Sequence, residues 1–315
     1  MTGGYDSTYH RKAEPESPAY KAQLWDAAFG LQATDGLEPS AYARELANDN
    51  VYGRKSLDEV GAELERYYSS HGSSDSERTE EADKVSHRIV GILEDGSFSF
   101  DPAMLSVIHR WLFEGIDDGA YHPGEYKTEQ LVKCEEVLNG DSVSYGVPAL
   151  YARSLEMLFS RELAYAYDNY TDGPALSWAD TRNLARFVAN VWMVHPFFEG
   201  NTRTVAVFLE LYLRSMGFDV DNCPFKAHSL YFRNALVRAC YQNRAIGVGL
   251  DDAHLVAFLS RLLEEPTIEL DYDALWCVPL FQNPERVRNV SLADARPVQQ
   301  RLAERGITAK VLGAK

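Results

Sequence analysis

At 315 residues the chain is longer than one small domain, and 45 % hydrophobic residues are enough for a sizeable core. A formal net charge of −16 excludes bulk affinity for nucleic acid or an anionic membrane. No run reaches the roughly eighteen uninterrupted apolar residues of a membrane span. The start, Met1-Thr2-Gly3-Gly4-Tyr5-Asp6, has neither a basic nor an apolar segment of the kind a signal peptide needs. Cys134, Cys223, Cys240 and Cys277 form no CxxC pair and fit a reducing compartment. The expectation is a cytoplasmic protein with one main domain plus appendages, free of membrane and nucleic acid.

In chain order, residues 1–20 are polar and read as a loose leader. Residues 21–68 predict a small three-helix module. Ala22, Leu24, Trp25, Ala28, Phe29 and Leu31 recur at helical spacing up to Gly36. Pro39-Ser40 opens a second helix carrying Tyr42, Leu46 and Val51, and Ser56 caps a third carrying Leu57, Val60, Leu64 and Tyr67. The run from His71 to Ser76 is a linker by composition.

The main domain is expected over 76–265 as an almost all-helical bundle. Val85, Ile89, Ile92 and Leu93 mark its first helix; Met104, Leu105, Ile108, Leu112 and Phe113 mark its second. Tyr121-His122-Pro123-Gly124-Glu125-Tyr126-Lys127-Thr128 has the composition of a hairpin. Helices follow near 147–166, 181–194, 202–216, 229–243 and 252–263, the fourth carrying Arg233, Asn234 and Arg238. Residues 266–315 predict a small ββα-like appendage or a contact surface with no chemistry of its own.

Between the fourth and fifth of these seven helices lie His195-Pro196-Phe197-Phe198-Glu199-Gly200-Asn201-Thr202-Arg203. Pro196 prevents the upstream helix from continuing. A Gly-Asn turn that opens a helix directs unpaired backbone N–H groups, and the positive end of the helix dipole, at an anion. Arg203 adds a planar fork suited to phosphate oxygens. Glu199 is an oxygen ligand of the kind Mg²⁺ takes alongside substrate phosphates. His195 titrates near neutrality and can accept a proton from a hydroxyl. The set points to phosphate chemistry.

This run resembles the active-site loop of the Fic family, His-Pro-Phe-x-Asp/Glu-Gly-Asn-Gly-Arg with a second Arg three residues on. The resemblance implies an all-α fold, a Fic-type helical bundle with a short β-hairpin flap, and transfer of AMP from ATP, with Mg²⁺, to a hydroxyl side chain of a protein substrate. By that resemblance His195 is the base and Glu199 holds the metal. Gly200, Asn201, Thr202 and Arg203 bind the phosphates, Phe197 anchors the loop and Asn234 borders the adenine. Glu125, Tyr126 and Lys127 fall in the flap that aligns the target.

Two positions depart from the pattern: Thr202 replaces a glycine, with strain expected if its φ is positive, and Ala206 replaces the second Arg. They leave open transfer of phosphate, UMP or phosphocholine, as well as nucleotide binding without turnover. Arg233 and Arg238 are candidates for the missing charge.

The 21–68 module resembles the small antitoxins that accompany some Fic toxins, through Asp35-Gly36-Leu37-Glu38-Pro39. Such antitoxins carry Ser/Thr-x-x-x-Glu-Gly/Asn, whose Glu blocks ATP. Leu31 and Asp35 stand at those positions, so the shorter acid is expected to fall short of the same point. Ser76-Glu77-Arg78-Thr79-Glu80-Glu81 offers a second candidate inhibitor, Glu80. Oligomeric state is open, a homo-oligomer included.

Overall fold

The computed structural model describes residues 17–71, 77–116, 119, 121–170, 176–218, 223–263, 267–290 and 292–312. The expected leader, apart from its last four residues, and most of the expected linker lie outside them. The architecture is mostly helical with one small two-stranded sheet.

The first three helices begin where their caps dictate. In α1 (Pro18–Gln32) the Ser17 side chain accepts from Tyr20 N–H and Pro18 supplies the pre-set first turn. A 3-10 turn at Ala33–Asp35 follows, and Gly36 closes it at φ 71°. Ser40 Oγ accepts from Ala43 N–H to start α2 (Ala41–Val51). Ser56 and Glu59 cap α3 (Leu57–His71) reciprocally, each side chain taking the other's backbone N–H.

α4 (Glu77–Asp95) and α5 (Ala103–Phe113) lead to the sheet, in which β1 (Val132–Cys134) pairs antiparallel with β2 (Ser142–Ser144), Lys133 opposite Val143. Then come α6 (Tyr151–Asn169), α7 (Trp178–Val194), α8 (Asn201–Ser215), α9 (Cys223–Cys240) and α10 (Ala253–Leu263). α8 is buried along almost its whole length, its Arg203, Glu210 and Arg214 as well as its apolar residues. One continuous core runs from Leu24 in α1 to Ala295 near the C-terminus.

Four expectations are corrected. The Tyr121–Thr128 segment is a series of turns, and the hairpin lies at 132–144. Its short strands carry too little alternation to be read from composition. α7 starts at Trp178 because Ser177 and Asp180 form a capping box, a stronger start than Asp180-Thr181. α9 begins six residues early and bends at His228, whose φ −130° is not helical. Beyond 266 the described residues contain no strand: α11 (Val278–Gln282), α12 (Leu292–Glu304) and α13 (Ala309–Leu312) are helical, and Val298 and Leu302 pack against Phe281.

α1 packs into the bundle against α4 and α9. Gly30 permits the crossing: a Cβ there would lie 2.2 Å from the Phe225 carbonyl oxygen. Ser229 Oγ donates to the Gly30 carbonyl at 2.5 Å and pins the contact. The last turn of α1 is thereby fixed over the start of α8.

Candidate active site

The run from His195 to Arg203 forms the α7–α8 connection, and its own side chains fold it. His195 leaves α7 in the left-handed region at φ 51°, and Gly200 caps α8 at φ 71°. Only Gly fits the second position, since a Cβ would meet the Phe113 ring at 2.3 Å. Asn201 closes the turn, donating to the Phe197 carbonyl at 2.9 Å and accepting from Phe197 N–H at 3.1 Å. Thr202 lies within the helix with no positive φ, so the expected strain is absent. Its hydroxyl accepts from Trp192 Nε1 at 3.0 Å and ties α7 to α8.

Neighbouring segments clamp the loop. The buried Lys127 gives its backbone N–H to the Pro196 carbonyl at 2.8 Å and its ammonium to the His195 and Phe197 carbonyls. Burial, with Lys133 nearby, lowers its pKa to about 8. Tyr126 packs against Phe197 and Tyr151, and Glu125 is exposed in a turn. The geometry of Tyr126 and Lys127 is thus that of loop supports, not of strand residues that could align a target. His109 stacks on Phe197, with ring centroids 3.9 Å apart. Its Nδ1 accepts from Gly124 N–H at 2.9 Å, so Nε2 carries the proton and donates to the Glu199 carbonyl at 3.1 Å.

Burial lowers the His109 pKa to about 4, with Arg203 adding to the shift. An unfolded chain would protonate this ring near 6.5, so its contribution to stability is complete above that pH and falls away as pH drops toward 4. The loss is about 3 kcal/mol at the acid end. Between pH 7 and 4.5, denaturant unfolding of the wild type should lose about 2–3 kcal/mol more than His109→Gln. Parallel stability curves would refute the assignment.

His195 is 4 % exposed. Its ring stacks on Tyr145 at 3.7 Å and meets Trp192 edge-on at 5.6 Å. Among the described residues neither ring nitrogen makes a well-aligned hydrogen bond, and the Trp192 backbone is its one polar neighbour of note. Burial, then the charges of Lys127 and Lys133, push its pKa well below 6.5; the Trp192 backbone offsets this only in part. The imidazole is therefore neutral at physiological pH.

Arg203 is wholly buried. Nη2 donates to Glu81 Oε1 at 2.7 Å and Tyr121 Oη at 2.9 Å, and Nη1 donates to Gln32 Oε1 at 3.0 Å. Nε lies 2.8 Å from Asp35 Oδ2 in an ion pair not aligned as a hydrogen bond. The Phe113 ring lies 4.9 Å from the guanidinium carbon. Burial opposes the charge, but Asp35, Tyr121 and Glu81 more than restore it. Asp35 thus reaches a cation despite its short side chain, because the 3-10 turn delivers it to Arg203 and not to the position of Ala206. Glu80 makes no such contact and pairs with Lys84 at 2.8 Å. Glu81 is the acid of α4 that meets Arg203, and its spacing from Val85 and Ile89 places it on the buried stripe, a signal the sequence carried.

Beside the loop opens a cleft of about 1330 Å³. Glu199 and Asn234 line it, together with Asp35 and Glu80. The side chains of His195, Asn201, Thr202 and Arg203 do not: they are turned into the fold. Sequence reasoning missed Lys133, Glu135 and the C-terminal residues Tyr272 and Trp276, which also line the cleft. Every cation on the wall faces a carboxylate. Arg78 lies 3.8 Å from Glu81, Lys133 3.0 Å from Glu199, Arg233 2.8 Å from Glu135 and Arg305 2.6 Å from Glu136. Among the described residues no group of three or more His, Cys, Asp or Glu is placed to hold a metal. Glu199 offers a lone carboxylate at the cleft, which suits an ion that arrives with a polyphosphate.

A neutral buried imidazole and a glycine-capped helix start thus stand beside a polar cleft within a helical bundle. In the comparison with protein families, residues 99–213 match the Fic/DOC family. No curated protein matches the chain. Among solved structures, a Fic domain containing signaling protein from Bacteroides thetaiotaomicron VPI-5482 is similar at 15 % identity and a TM-score of 0.42. The match covers 94 % of this chain and 91 % of that one. No helix among the described residues is long and apolar enough to cross a membrane.

Proposed function

We propose that the protein is a protein adenylyltransferase held in check by its own first helix. The observation that carries this reading is His195. A buried imidazole that makes no well-aligned hydrogen bond is costly, by about 1–3 kcal/mol, and its positive φ adds strain. Such a residue fits a proton acceptor kept neutral and uncommitted, immediately ahead of an anion-binding turn.

In the reaction, His195 accepts the proton of a Ser, Thr or Tyr hydroxyl on the target protein. The oxygen attacks the α-phosphorus of ATP in line; the new P–O bond forms as the bond to the β-phosphate oxygen breaks, and pyrophosphate leaves. The N–H groups at the start of α8, with Arg203, stabilise the charge on the phosphate oxygens. Mg²⁺ would be held by Glu199 and would neutralise polyphosphate charge when bound. Asn234, on the cleft wall, is placed to border the base.

The conformation described is the closed one. Tyr145 covers His195, Lys133 occupies Glu199, and Asp35 and Glu81 neutralise Arg203 twice over. Release requires α1 to yield Arg203 and the β1–β2 hairpin to lift Tyr145 and Lys133. By its position against the loop, that hairpin takes the target-aligning role first expected of Glu125, Tyr126 and Lys127.

The missing charge at Ala206, which is buried in the core, keeps transfer of another group as the second reading. Intact-protein mass spectrometry after incubation with Mg²⁺ and ATP tests both. A gain of one AMP unit on the chain or on a target protein is expected. A gain of one phosphate, with label retained from γ- but not α-labelled ATP, would replace the first reading with the second.

A further inference from the structure

We propose that Arg233 is the cleft's receptor for the nucleotide's phosphate chain, with Glu135 as the carboxylate that holds its guanidinium in position. The inference rests on the nucleotide-binding part of the function proposed above and adds a residue to it. Arg203 is enclosed on all sides, and one turn further along α8 stand the apolar Ala206 and Val207. A polyphosphate entering the cleft therefore meets other cations first.

Of the four on its wall, Arg78 and Arg305 are more than half exposed and mobile in reach, and Lys133 belongs to the hairpin and sits on Glu199. Arg233 differs. It projects from α9, in the rigid bundle, beside Asn234. Nη1 lies 2.8 Å from Glu135 Oε2, and Nη2 donates to Oε1 at 3.2 Å, a two-point grip by a carboxylate only 2 % exposed. Tyr145 Oη donates to the same carboxylate at 3.4 Å, so Glu135 is itself fixed from the side that covers His195.

That grip uses two of the five N–H donors of a guanidinium and leaves an oriented fork for a second acid. Asp35, of the inhibitory turn, lines the same cleft as Arg233, and the charge of Arg233 is felt by both Asp35 and His195. Arg238, the other arginine of α9 singled out in the sequence, is excluded. It donates to the Leu275 carbonyl at 2.8 Å and to Asp251 at 3.2 Å, and it does not line the cleft.

Calorimetric titration of the full chain with ATP, inorganic tripolyphosphate and adenosine tests the assignment. Arg233→Gln should weaken ATP and tripolyphosphate about 10- to 150-fold, the range of a charge-assisted hydrogen bond, and leave adenosine unchanged. Arg233→Lys keeps a charge against Glu135 and so keeps the fold; it should lose affinity for the two phosphate ligands by an intermediate factor, again sparing adenosine. Unaltered ATP and tripolyphosphate binding in both variants would overturn the proposal, as would an equal loss for adenosine, which marks a purely structural role. If the wild type and Asp35→Asn bind none of the three ligands, the nucleotide-binding function itself fails and takes this assignment with it.

Discussion

Replacing His195 by Asn or Ala is expected to lower AMP transfer about 10²- to 10⁴-fold, the usual worth of a positioned general base. Asn is the cleaner substitution, since it tolerates the left-handed backbone at φ 51° that Ala adopts at a cost of about 1–2 kcal/mol. Either variant loses the stack on Tyr145; Ala offsets this by removing the buried ring nitrogens, and Asn by its easier left-handed backbone, so the melting temperature should stay within a few degrees of the wild type. Nucleotide affinity should hardly change, because the ring does not line the cleft. Burial keeps the imidazole neutral well below pH 6.5, so acidification through 6.5 should not by itself remove the base in the closed state. The measurement is incorporation of α-labelled AMP with the folded variant. Wild-type labelling by either variant would remove His195 from the mechanism.

Asp35→Asn is expected to raise transfer by about tenfold or more. Arg203 carries one positive charge and faces two carboxylates, Asp35 and Glu81. A phosphate must displace acid from it before it can bind. Removing the less well-aligned of the two acids leaves a single carboxylate for a single cation, and roughly 1.4 kcal/mol off the cost of displacement corresponds to that tenfold. The fold should tolerate the change, because Glu81, Gln32 and Tyr121 still hold the guanidinium. Glu80→Gln should leave the rate unaltered, since Glu80 contacts Lys84 and not Arg203. A rate for Asp35→Asn equal to or below that of the wild type, with wild-type transfer measurable and His195-dependent, would exclude α1 as the inhibitor.

Much of the fold was legible because its helices announce themselves. Ser40 and Ser56 cap the second and third helices and Gly36 stops the turn that bears Asp35, whereas the cap at Ser17, inside the expected leader, went unread. The α7–α8 connection could be read residue by residue because Pro196 stops the helix before it and Gly200 permits the left-handed turn that opens the next. Legibility failed wherever a distant partner sets the outcome. The hairpin at 132–144 has strands of three residues each, too short for periodicity to register. The C-terminal segment carries no motif, yet Tyr272 and Trp276 reach the cleft wall through the way the chain folds back on α9.

The sequence by itself determined the chemistry on offer: an imidazole, a carboxylate, a glycine-opened helix and an arginine within nine residues. Tertiary structure decided their state. It turned Arg203 inward onto Asp35, Glu81, Gln32 and Tyr121, laid Tyr145 over His195, and left Arg233 with Glu135 on the cleft wall. The division follows from range: backbone restrictions act over a few residues and are written in them, whereas ion pairing and burial depend on groups dozens of positions away that meet only when the core closes.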